Sequence, residues 1–118
     1  MSANPVPPSS RRERARRARD AFPAMGVYAI RNRATGRVRV KSSRNVPGAI
    51  NRLTFELRQG CHRDRGLQAL WNARGAEGVT MEVLELVRER KDPSFDYEAE
   101  LELLEALYRQ ELSPEAAP

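Results

Sequence analysis

The sequence predicts a small α+β domain. A three-stranded, mainly antiparallel sheet, made of a hairpin plus one later strand, is flanked by helices in the order β-β-α-α-β-α. Three observations predict it. Residues 26–43, GVYAIRNRATGRVRVKSS, form two short alternating runs on either side of a turn-rich centre. Two stretches with apolar residues at helical spacing come next. A β-branched run, VTMEVLELV, and a last helical pattern complete the order. Sheet and helices would share one modest core, for which 118 residues suffice.

In the hairpin, read as 25–32 and 37–42, Val27 and Ala29 share one face. Alternation therefore puts the Tyr28 ring on the other. Asn32-Arg33-Ala34-Thr35-Gly36 supplies the turn, with Gly36 free to take positive φ. Ser42-Ser43-Arg44-Asn45 breaks the second strand. Asn45 suits an N-cap and Pro47 a first helical turn, so a helix is expected over 46–59. Its stripe is Ile50, Leu53 and Leu57, and Gly60 stops it. A second helix, 63–73, carries Leu67, Leu70 and Trp71 and ends at Gly75. In the strand 79–87, Val79, Met81 and Val83 face one side and Leu84 and Leu86 the other. This predicts cover on both faces near its end. RERKDPS is a charged connector broken by Pro93. Asp96 can cap a last helix over 97–112, whose acidic first turn suits the macrodipole.

The domain is read as 21–114. Before it, residues 1–20 read as a disordered arm, with three prolines in the first ten residues and six arginines in the next ten. Phe22-Pro23 ends the arm and places a ring at the sheet edge. Residues 115–118 read as a frayed tail.

Charge is unevenly placed. Residues 11–65 hold sixteen Arg and Lys against four Asp and Glu; residues 66–118 hold five against twelve. A basic front and an acidic back predict a one-sided surface for polyanions. Nineteen of the twenty-one basic residues are arginine, whose planar forks engage phosphates bidentately. No apolar run is long enough to span a membrane, and no apolar segment follows the N-terminal charges as in a secretory signal. A single cysteine, Cys61, makes no internal disulfide, which suits a reducing cytoplasm.

Three residues stand out chemically. Tyr28 is either a packing residue or a phenol in a cleft. Glu105 sits beside the apolar stripe of the last helix, with Leu101, Tyr108 and Leu112 as helical neighbours. A carboxylate there requires a cation, a metal or water. One carboxylate with open positions would suit Mg²⁺ shared with phosphate oxygens, and a salt bridge to an arginine is the plainer reading. His62, at a helix entrance, reads as a capping or surface histidine, and Cys61-His62 lack the further ligands a zinc site needs. The sequence holds no P-loop, nucleophile elbow or dinucleotide-binding fingerprint, so the common routes to nucleotide hydrolysis and hydride transfer have no support.

Several segments together resemble the GIY-YIG nuclease superfamily. They are GVY at 26–28, RVRVKSS at 37–43, NVPGAINRL at 45–53, LRQGCHRDRGLQALWNARG at 57–75, VTMEVLE at 79–85 and LLEALYRQELSP at 103–114. The resemblance implies a three-stranded sheet with surrounding helices and cleavage of nucleic-acid backbones. It matches Tyr28 to the first tyrosine, His62 to the later histidine and Glu105 to the ligand of a divalent metal, Mg²⁺ or Mn²⁺. This sequence also departs from the pattern. Arg39 replaces the second tyrosine, Lys41 replaces the glycine, Ala49 stands at the helix arginine and Leu53 where a histidine is common. No Tyr-Asn pair follows the last helix. Arg52, one turn from Ala49, can partly replace the missing guanidinium.

These readings predict a weakened or inactive nuclease-like domain that binds nucleic acid, DNA ahead of RNA, with no membrane partner. The expected phosphate contacts are Arg39, Lys41, Arg44 and Arg52, joined by Arg11, Arg12, Arg14, Arg16, Arg17 and Arg19 of the arm. Two other classes stand beside this one. One is a non-catalytic DNA- or RNA-binding or regulatory module; the other is a protein-interaction domain using the acidic last helix.

Overall fold

The structure is a computed structural model and describes residues 22–112. The arginine arm and the tail lie outside these residues. The elements are β1 (Gly26–Asn32), β2 (Val38–Ser43), α1 (Val46–Gln59), α2 (Arg65–Arg74), a short 3₁₀ turn (Gly75–Glu77), β3 (Val79–Leu86) and α3 (Tyr97–Leu112). This is the expected α+β order. None of these helices is long and apolar enough to cross a membrane.

Local chemistry explains the boundaries. The Asn32 side-chain oxygen accepts hydrogen bonds from the Ala34 and Thr35 amides at 2.9 and 3.0 Å, while Gly36 takes φ +81°. That closes the hairpin. Three side chains cap the helices: Asn45 accepts from the Gly48 amide, Asp64 from Leu67 and Asp96 from Ala99. The cap at Asp64 starts α2 two residues later than the apolar pattern suggested. At the end of α1, Gly60 is left-handed and its amide returns to Leu57.

β1 is the central strand, antiparallel to both neighbours, in the order β2-β1-β3. Its alternation separates two cores. Tyr28 and Ile30 join Val46, Leu53, Leu57, Leu67 and Val79, under α1 and α2. Val27 joins Met25, Val40, Val87, Leu101 and Leu104, under α3. The molecule is therefore a helix pair, a sheet and a single helix in three layers. Phe22 belongs to the second core, where its ring centroid lies 5.2 Å from that of Tyr97 at the start of α3.

Two features of β1–β3 pairing differ from a plain ladder. The register slips between Val27, opposite Glu85, and Tyr28, opposite Val83, leaving Leu84 as an extra residue. Leu84 turns into the α3 core, but Val83 and Leu86 stay about half exposed. The expectation of cover on both faces near the strand's end is thus corrected, because the extra residue breaks the strict period of two. At Gly26 the two backbones nearly touch. A Cβ there would fall on the Glu85 carbonyl oxygen and 2.8 Å from the Leu86 Cα.

Candidate nucleic-acid interface

β2 is an edge strand, and its register sorts its side chains. Arg39, Lys41 and Ser43 lie opposite Ile30, Tyr28 and Gly26, on the side of α1 and α2. Val40 and Ser42 turn toward α3, where Val40 is buried and Ser42 meets Glu105. The outer edge of β2 is therefore reached by residues from both helical layers.

On the α1 side, one cleft of about 540 Å³ is lined by Tyr28, Lys41, Asn45, Ala49, Arg52, Glu56 and His62, among others. The structure thus brings together Tyr28, Arg52 and His62, three of the sequence-predicted site residues, along with Lys41. Ala49 and Arg52, one turn apart on α1, line the same wall. Leu53 is buried in the core and carries packing instead of chemistry.

Tyr28 is only 7% exposed. Burial, and then the negative charge of Glu105, push its phenol above the usual tyrosine range. The phenol is therefore neutral at physiological pH. The linkage has a definite sign. The folded state keeps its proton at pH values where the unfolded chain loses it, so stability falls as pH rises above about 10. Tyr28→Phe should flatten part of this alkaline loss in urea titrations between pH 9 and 11, ranges set by the ordinary tyrosine value. An unchanged alkaline slope would contradict the buried, proton-retaining phenol.

His62 is half-buried in the loop before α2, whose N-cap is Asp64. Its Nδ1 accepts from the Asp64 amide at 3.0 Å, and its own amide donates to Gln68 Oε1 at 2.9 Å. Gln68 also donates to the Leu57 carbonyl at 2.8 Å and to Asn72 Oδ1 at 2.9 Å. This buried glutamine, which sequence reasoning did not single out, ties the end of α1 to α2 and fixes the His62 loop. Nδ1 being occupied, Nε2 is the nitrogen left to serve the cleft.

Glu105 lies on the other side of β2. Its Oε1 accepts from Ser42 Oγ at 2.8 Å, and its Oε2 pairs with Arg109 one turn on at 2.5 Å. The cation anticipated beside the apolar stripe is therefore Arg109, which also reaches the Val40 carbonyl at 3.4 Å. Glu105 shares a depression with Arg39, Lys41 and Arg109, separate from the Tyr28 cleft. An arginine partner was expected without being placed, and Ser42 was not anticipated. Their contacts span sixty-three residues in one case and one helical turn in the other, and only the second is visible as a sequence spacing.

This donor set does not fit Mg²⁺ or Mn²⁺. Among the described residues no three His, Cys, Asp or Glu converge to hold a metal. Mg²⁺ is content with one carboxylate and phosphate oxygens. Here, however, both oxygens of that carboxylate are engaged, and every other charged residue lining its depression is a cation: Arg39, Lys41 and Arg109. The same lining is well suited to an anion.

The remaining predicted cations differ in how free they are. Arg39 pairs with Asp64, whose carboxyl is held below its usual range, first by the Leu67 amide and then by Arg39. Arg44 pairs with Glu98 at 2.6 Å, both well exposed. Lys41 and Arg52 make no ion pair with any described residue, and Lys41 borders three adjoining depressions.

No family model and no curated protein matches the chain. Solved structures do. The catalytic domain of the homing endonuclease I-TevI is 25% identical, with TM-score 0.56, covering 77% of this chain and 90% of that one. A point variant of the intron endonuclease I-TevI catalytic domain is 23% identical, again with TM-score 0.56, covering 75% of this chain and 82% of that one. The fold of this chain is GIY-YIG-like.

Proposed function

We propose that this chain is a nucleic-acid-binding domain on a GIY-YIG-like fold, with phosphodiester hydrolysis weak or lost. The observation that carries this reading is the edge of β2. Lys41 stands there without a carboxylate partner among the described residues, between the Tyr28 cleft and the Glu105 depression. A strand laid along that edge meets Arg52 and Lys41 on one side and Arg109 on the other. The homing-endonuclease neighbours favour DNA over RNA as that strand.

Hydrolysis needs more than binding. Acid–base assistance is worth roughly 10²–10⁴ in rate and one positioned transition-state donor about 10²–10³. Here the second phenol is Arg39, the position of the helix guanidinium is Ala49, and the one carboxylate is neutralised by Arg109. Each change removes a contribution of that size.

The test uses labelled single- and double-stranded DNA with Mg²⁺, Mn²⁺ or EDTA. Binding by fluorescence anisotropy should persist in EDTA, and cleavage should stay at the blank level. Metal-dependent cleavage that Glu105→Ala abolishes would overturn the reading and identify Glu105 as a working metal ligand.

A further inference from the structure

Next to the cleft lies a more enclosed cavity, of about 460 Å³, that plays no part in the reading above. Ile30 and Leu67, both buried, give it an apolar floor. Its polar lining is Asn32, Arg37, Arg39 and Asp64. Nearly every group available there is a donor. The Asn32 oxygen is taken by the Ala34 and Thr35 amides, which leaves its amide NH₂. The Asp64 carboxylate already accepts from the Leu67 amide through Oδ1 and pairs with Arg39 through Oδ2. Arg37 pairs with no carboxylate among the described residues. Arg39 lines this cavity and also the Glu105 depression, so the two adjoin along β2.

We propose that this cavity receives one unstacked guanine of a strand whose phosphates lie along β2. This rests on the function proposed above and adds a base preference to it. An apolar floor takes the face of a base, and the volume is within the usual range for ligand pockets. A lining of donors then selects the base. Guanine presents two adjacent acceptors, N7 and O6, which match a guanidinium fork. Adenine puts an amino donor where guanine has O6, and would face donor against donor.

The experiment measures anisotropy with an oligothymidylate carrying one central guanine. Three controls replace that guanine with thymine, with an abasic site, or with 7-deazaguanine, which lacks the N7 acceptor. The guanine strand should bind about tenfold tighter than the thymine and abasic strands, the size of discrimination one bidentate pair gives, and 7-deazaguanine should lose most of the gain. Arg37→Ala should remove the preference, with the abasic strand reporting any loss of a phosphate contact. Leu67→Phe should fill the cavity and do the same. Should circular dichroism show that variant unfolded, Arg37→Ala carries the comparison. Equal affinity for all four strands would overturn the guanine site and leave the proposed function standing. Failure to bind any of them would overturn both.

Discussion

Gly26→Val should unfold this domain or bring it close to unfolding. The added carbons meet backbone, the Glu85 carbonyl and the Leu86 Cα, and backbone cannot swing aside as a side chain can. Relief requires β3 to leave β1, which would expose Val27 and Tyr28 on the central strand. Overpacking a well-filled core typically costs 1–3 kcal/mol, and a backbone clash belongs at about 3 kcal/mol or above. A domain of this size has roughly 5–15 kcal/mol in total. The comparison is Gly36→Val in the hairpin turn, where positive φ imposes strain but nothing lies within 4 Å. Urea unfolding followed by circular dichroism should show a far larger drop in midpoint for Gly26→Val than for Gly36→Val. Equal midpoints would mean that β1 and β3 do not approach as described. The glycine of the GVY triplet is thus accounted for by strand pairing alone, with no appeal to substrate.

Binding to single-stranded or duplex DNA should weaken steeply with salt. If four phosphates of a duplex are neutralised, the log–log slope is about −3.6, and affinity falls about 10²-fold between 50 and 200 mM salt. The double variant Lys41→Ser/Arg52→Ser should make the slope shallower by about 1.8. Arg39→Ser and Arg44→Ser should each do less. Those guanidinia must first leave Asp64 and Glu98, and their departure strands a carboxylate near the phosphate. Replacing Arg11, Arg12, Arg14, Arg16, Arg17 and Arg19 with serine tests the arm separately. Binding indifferent to salt, or equal effects from paired and unpaired cations, would count against phosphates lying along β2.

The parts of the fold that depend on neighbours in the sequence were readable from it. The hairpin turn is written in Asn32 and Gly36, the start of α1 in Asn45, and the two faces of β1 in the alternation of Val27, Tyr28, Ala29 and Ile30. The bulge at Leu84 was not readable, because a period of two assumes no extra residue. Much of the site was equally hidden. That Tyr28 and His62 share a cleft was suggested only by family resemblance, since nothing in either residue's neighbourhood points to the other. The Ser42–Glu105 hydrogen bond and the Arg39–Asp64 pair join distant segments, and the anchoring role of Gln68 arises from the meeting of α1 and α2. An i, i+4 carboxylate–arginine pair at Glu105 and Arg109 was legible in principle, because helical spacing alone brings them together.

The exposed rim of β2 has a consequence beyond ligand recognition. An outermost strand offers unpaired amides and carbonyls to any other extended chain, and proteins guard such rims with charge. Arg39 and Lys41 stand on this one, and Arg109 leans over it to the Val40 carbonyl. At the opposite rim, Glu82 and Glu85 flank the half-exposed Val83 and Leu86. Two positions that depart from the nuclease pattern thus also put charge on the β2 rim. Exchanging them for tyrosine and glycine would trade a charged, self-repelling rim for one prone to add strands from neighbouring molecules, so any such variant has its solubility at stake together with its chemistry.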